Sequence, residues 1–164
     1  MKTYLFFLMV MAALSASVLN AHSGPDHGAK PGPSATRSEE ATPFGRAGDP
    51  KNVTRTISIG MDDRMRFYPA AVTVKKGETI RFVVSNRGKL LHEMVLGTDE
   101  ELRKHAELMR KFPGMEHDEA HMVHVKPGAK GDVVWTFDKE GEFAFACLIA
   151  GHFEAGMIGK VVVK

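Results

Sequence analysis

Three residue types that bind soft or borderline metals recur at even spacing near the end of the chain. In "ACLIAGHFEAGM", residues 146–157, Cys147 is followed by His152 and Met157 in the order Cys-x4-His-x4-Met, and it is the only cysteine of 164 residues. A buried thiol alone is a small hydrophobe, but that reading leaves His152 and Met157 unexplained in a loop whose glycines let the backbone bend sharply. Thiolate is soft, imidazole borderline, and thioether soft and weak. This is the donor mix of a trigonal His2Cys copper site with a distant axial methionine. Zinc would accept the thiolate and the imidazoles but gains little from the thioether. A thiolate-bridged dinuclear copper centre needs two cysteines.

Such a site requires a second imidazole from elsewhere in the fold. His92, in "GKLLHEMVLG", is the best candidate because it opens a strand between apolar residues; His117, His121 and His124 compete from a polar loop. That loop, "GMEHDEAHMVH", residues 114–124, holds Met115, His117, His121, Met122 and His124. Thioethers favour Cu(I) and imidazoles Cu(II), so the set reads as a candidate accessory copper site. It reads equally as a solvated loop entering a strand with Met122 buried. His105 is expected to be exposed, and His22 and His27 to add weak metal capture.

The elements that must position these residues are mostly strands. In "TIRFVVS" Ile80, Phe82 and Val84 share one face, as Val133, Trp135 and Phe137 do in "DVVWTFD"; this period-two alternation marks half-buried strands. Further strands are expected at Val53–Ile59, Ala71–Lys75, Leu91–Leu96, Glu142–Cys147 and Ile158–Val163. Turn signals such as "KKGE", "NRGK" and "KEGE" separate many of them, which favours an antiparallel sandwich. Alternation puts Phe143, Phe145 and Cys147 on one side. One segment differs: "TDEELRKHAELMRKF" has a Thr98/Glu101 capping box, acids first and bases last, with Pro113–Gly114 as a stop. A helix is expected there, packing Leu102, Ala106 and Met109 on the sandwich.

Residues 1–21 have a basic start, an apolar centre and a small final residue, the pattern of a secretory signal peptide cut after Ala21 or near Ser17. Residues 22–52, rich in Gly, Pro and Ser, are expected to be a flexible tether. Residues 53–164, about 110 residues, suffice for one core. The formal charge is +2, and losing Lys2 with the signal leaves the remainder near neutral. Neither a nucleic-acid partner nor membrane insertion after signal cleavage is expected.

The order His92, then Cys147, His152 and Met157, closed by "GKVVVK", resembles the cupredoxins, small blue-copper proteins. The Cys-x4-His-x4-Met spacing is similar to that of azurins and rusticyanin. The whole of residues 53–164 resembles the periplasmic cupredoxins of bacterial copper-tolerance systems. The resemblance implies a Greek-key all-β sandwich with one inserted helix, holding one type 1 copper on His92, Cys147, His152 and Met157. It departs from the family at Glu93, where many members carry Asn to tie the ligand loops together. The expected activity is one-electron transfer in the periplasm, cycling Cu(I) and Cu(II) in the context of copper tolerance, with no enzymatic turnover. The expected partner is a redox or copper-handling protein, docking on Leu148, Ile149 and Phe153 around His152. The alternative is a copper-sequestering or copper-delivery protein that uses the Met/His loop.

Overall fold

The structure, a computed structural model, describes residues 41–115 and 117–164. The expected signal peptide and residues 22–40 of the expected tether lie outside the described residues. Strands form where the alternation placed them: Ile80, Phe82 and Val84 are fully buried, and Val133 and Trp135 lie beside Phe82 and Ile80 on the neighbouring strand, with Phe137 buried just past its end. In chain order the elements are β1 (Arg46–Ala47), β2 (Arg55–Asp62), β3 (Arg66–Tyr68), β4 (Ala71–Val74), β5 (Thr79–Asn86) and β6 (His92–Gly97). Helix α1 (Asp99–Lys111) follows, then β7 (Met122–Val125), β8 (Lys130–Thr136), β9 (Gly141–Ala146) and β10 (Ile158–Val163).

They build two five-stranded sheets, β1-β8-β5-β2-β3 and β4-β10-β9-β6-β7, packed over one aromatic-rich core. Most pairings are antiparallel, but β2 pairs with β5 and β4 with β10 in parallel. These two pairs depart from the antiparallel arrangement that the turn signals favour, within a sandwich that is otherwise as expected. Local turn signals specify hairpin neighbours, whereas these two pairs join strands distant in sequence, whose direction is set by the crossover between sheets.

The expected tether also ends earlier than residue 52. Phe44 is 3% exposed and stacks on Trp135 at 5.1 Å between centroids, while the Trp135 indole N–H donates to the Phe44 carbonyl at 3.1 Å. Arg46–Ala47 then adds an edge to β8, and a short 3-10 turn follows over Pro50–Asn52. A lone aromatic in a Gly/Pro-rich run carries no periodicity, so nothing local announced this docking.

Helix α1 begins as its capping box requires, with the Glu101 N–H donating to Thr98 Oγ1 and the Thr98 N–H donating to Glu101 Oε2. Its buried Leu102, Ala106 and Met109 cover Val95, Met122, Ala146 and Leu148 on the outer face of the second sheet. For that reason all six residues of β6 are buried: one face meets the sandwich core, the other the helix.

Candidate metal centre

The register of β6, β9 and β10 assembles the site. Val95 lies opposite Ala146 on one side, and Ile158 opposite Ala146 on the other. Continuing past these pairs sets Cys147, just beyond β9, between the start of β6 and the residue preceding β10. The Cys147 N–H accordingly donates to the Met157 carbonyl at 3.1 Å. One ligand atom each from His92, Cys147 and His152 lies within 4.8 Å of the others. Cys147 Sγ is 3.3 Å from His152 Nδ1, and the two imidazole centroids are 4.9 Å apart. His92, Cys147 and Met157 are completely buried, and His152 is partly exposed.

His92 and Cys147 are held by partners that the sequence reading missed. His92 Nε2 contacts Asp63 Oδ1 at 3.1 Å, leaving its Nδ1 buried and without a partner. An orphaned buried nitrogen beside a thiol and a second imidazole is what a soft-to-borderline metal ion would satisfy. The converging His92, Cys147 and His152 therefore fit a copper ion. Asp63 also accepts from the Lys89 and Leu90 N–H groups, and a Cβ at Gly88 would collide with its carboxylate. Those backbone donors, chiefly Lys89, hold the Asp63 pKa below the usual carboxylate value. The ionised carboxylate then fixes the His92 tautomer with Nε2–H outward.

Glu93, the departure from the Asn that many members of the resembled family carry, is the second pin. It is completely buried, and its Oε1 accepts from the Leu148 N–H at 2.8 Å while its own N–H donates to Cys147 Sγ at 3.4 Å. One residue thus ties the His92 strand to the Cys147 loop through both its side chain and its backbone. Its other oxygen lies 2.7 Å from His124 Nε2. Burial raises the Glu93 pKa, with the Leu148 amide and His124 acting the other way. The Cys147–Met157 loop turns through Gly151 and Gly156, both at positive φ, and Arg66 caps it by donating to the Ala155 carbonyl at 2.9 Å.

Burial pushes the Cys147 thiol up to about 12, and burial followed by the proximity of His92 lowers the His152 pKa. At neutral pH the metal-free site therefore holds one thiol proton and a neutral His152. Metal entry must displace that proton. Copper affinity is expected to fall about tenfold per pH unit across the neutral range, steepening where His152 also protonates. A competition titration between pH 8 and 5 checks this, and a flat profile would mean the thiol is not a ligand.

Asp63→Ala should leave the sandwich folded and weaken copper binding about 10- to 100-fold, the usual cost of removing a ligand's partner. Competition against a chelator of known affinity measures it.

The accessory residues do not gather at one point. Met122 lies in the core beneath α1, His124 meets Glu93, and Met115 is exposed. His121 Nε2 contacts Glu119 at 3.0 Å, and its ring packs edge-on to Phe44. His117 instead meets His105, Nε2 to Nε2 at 2.6 Å, so His105 is not simply solvated as expected. Of the three apolar residues expected around His152, Leu148 is 1% exposed while Ile149 and Phe153 are partly exposed; Leu90 and Leu91, adjoining His92 in the chain, are 47% and 44% exposed.

Residues 53–164 match the family described as copper binding proteins of the plastocyanin/azurin family. The chain is 50% identical over 157 residues to the copper-resistant cuproprotein CopI of Rubrivivax gelatinosus, covering 96% of this chain and 94% of that one. It is 33% identical to the protein of the same name from Pseudomonas aeruginosa, over 74% of this chain and 82% of that one. Among solved structures, the auracyanin of the photosynthetic bacterium Roseiflexus castenholzii aligns with a TM-score of 0.59 at 20% identity. That alignment covers 68% of this chain and 98% of auracyanin.

Proposed function

Since this chain belongs to the plastocyanin/azurin family of copper-binding proteins, we propose that it is a periplasmic one-electron carrier serving copper tolerance. When bound, copper supplies a centre that alternates between Cu(I) and Cu(II). The observation carrying the reading is the contrast within the site: His92, Cys147 and Met157 are sealed, and His152 alone of the four reaches toward solvent.

The chain's own residues would do four things. Asp63 and Glu93 hold His92 and Cys147 in place whatever the charge at the centre, so little rearrangement accompanies an electron. The buried aromatic and aliphatic lining excludes water, the Glu93 N–H steadies negative charge on sulfur, and the His152 edge offers a short path outward. Leu90 and Leu91, next to His92 in the chain, give a redox partner an apolar surface. Export through a signal peptide at residues 1–21 is part of the same reading. Among the described residues no helix is long and apolar enough to cross a membrane.

The test is one cycle of reduction and reoxidation of the copper-loaded protein, with copper counted at each stage. Reversible bleaching with copper retained is expected of an electron carrier. Release of copper on reduction would instead favour sequestration or delivery, the second reading. The relatives' name, copper-resistant cuproprotein, and the imidazoles outside this centre favour keeping that reading.

A further inference from the structure

The structure gathers imidazoles a second time, on the flank of α1 and away from the thiol. His105 projects from the helix toward His117 in the loop that follows, with ring centroids 4.5 Å apart and Nε2 atoms 2.6 Å apart. Two N–H groups cannot point at each other over that distance, so at least one Nε2 presents a bare lone pair. His117 Nδ1 is buried without a partner. Glu119 and His121, whose charges act on His105, contact each other at 3.0 Å with side chains 48% and 20% exposed. His105, Glu119, His121 and Glu101 line one cleft of about 250 Å³, which opens beside Phe44. Burial, then the neighbouring His117, lowers the His105 pKa, and burial lowers that of His121, so these rings are neutral at ordinary pH.

A neutral N–H···N hydrogen bond accounts for the contact between the two rings, but it leaves His117 Nδ1 buried without a partner and does not explain the third imidazole and the carboxylate that line a cleft with His105. Two nitrogens bound at ~2.0 Å to one ion at right angles lie ~2.9 Å apart, so the pair would need to open by only a few tenths of an ångström. We propose that His105 and His117, with Glu119 and His121 as adjoining donors, form a second metal site that takes Cu(II) and exchanges it with solvent. Nitrogen and oxygen donors without sulfur favour the divalent ion, and copper heads the affinity order of first-row divalent metals. Partial exposure of Glu119 and His121 gives the ion a way in and out. The site shares no residue with the thiolate centre, so the proposal goes beyond electron transfer: the protein would collect Cu(II) as well as cycle it.

The test adds Cu(II) stepwise to the full mature protein and follows two signals. The visible thiolate band reports the first centre and a folded sandwich; low-temperature EPR counts further Cu(II) with nitrogen hyperfine structure. After the band saturates, the wild type should bind one more Cu(II) that His105→Ala/His117→Ala either loses or holds at least ~100-fold more weakly, with the visible band unchanged. Copper held by His22 and His27 survives in the double variant and drops out of the difference. Should the double variant lose the band through misfolding, His117→Ala, which leaves the helix intact, makes the same comparison. Equal extra copper in wild type and variant, or none in either, overturns the proposal. Absence of the visible band with the EPR difference intact would instead tell against the thiolate centre alone.

Discussion

Cys147→Ser is expected to abolish the intense thiolate-to-copper absorption and to weaken copper binding by more than ~100-fold, beyond what loss of a ligand's partner produces. The sulfur is the only soft, strongly donating atom at the site, and the hydroxyl that replaces it is hard and stays protonated. The fold should survive. Cys147 anchors its loop through its backbone N–H on the Met157 carbonyl, a bond that serine keeps, and the hydroxyl is smaller than the thiol. Visible spectra of the copper-loaded variant and the wild type, with far-ultraviolet circular dichroism as the control for folding, make the measurement. A band that persists in the variant would remove Cys147 from the ligand set. Proton release separates the two proteins as well: the wild type should expel about one thiol proton per copper at neutral pH, and the variant none from this position.

The second large effect is expected from Glu93→Ala. The substitution strands the buried Leu148 N–H and leaves a void where a completely enclosed side chain stood. An unsatisfied buried donor costs about 1–3 kcal/mol, and the void adds to that. Because the Leu148 amide adjoins Cys147, the same change lets the thiol loop move relative to His92. Copper affinity should therefore drop by about 10- to 100-fold together with stability. Glu93→Gln keeps a carbonyl oxygen for the Leu148 N–H and should recover most of both losses. Chemical denaturation of the metal-free proteins, paired with chelator competition of the loaded ones, reads the two quantities separately. If Glu93→Gln were as damaging as Glu93→Ala, the charge facing His124 rather than the tie to Leu148 would be what matters at this position.

Met157 illustrates how far spacing carries. The loop from Cys147 to Met157 is short and turns on two glycines, so its ends meet wherever it is placed. The Cys-x4-His-x4-Met pattern is thus legible from local spacing alone. The same holds for α1, whose capping box and apolar stripe are local, and for β5 and β8, where alternation within one strand names the buried face. β6 is the counterexample. Enclosed on both sides, it shows no alternation, and only the register against β9 reveals that His92 faces the core while Glu93 reaches Leu148. The parallel pairings likewise depend on crossovers between sheets that no turn signal encodes.

What could be read in the residue order, then, is whatever neighbours in the chain settle among themselves: the donor chemistry of Cys147, His152 and Met157, the helix, the strand faces, and the need for one further imidazole. What required the folded molecule is every contact between distant segments. Asp63 reaches His92 across 29 residues, Glu93 reaches Leu148 across 55, Arg66 reaches the ligand loop across 89, and Phe44 reaches Trp135 across 91. His105, which belongs with the surface of α1 by its periodicity, meets His117 only because the following loop folds back over the helix. The reason is physical: spacing along a chain determines which side chains share a face of one element, but which faces meet is set by the burial of the whole core.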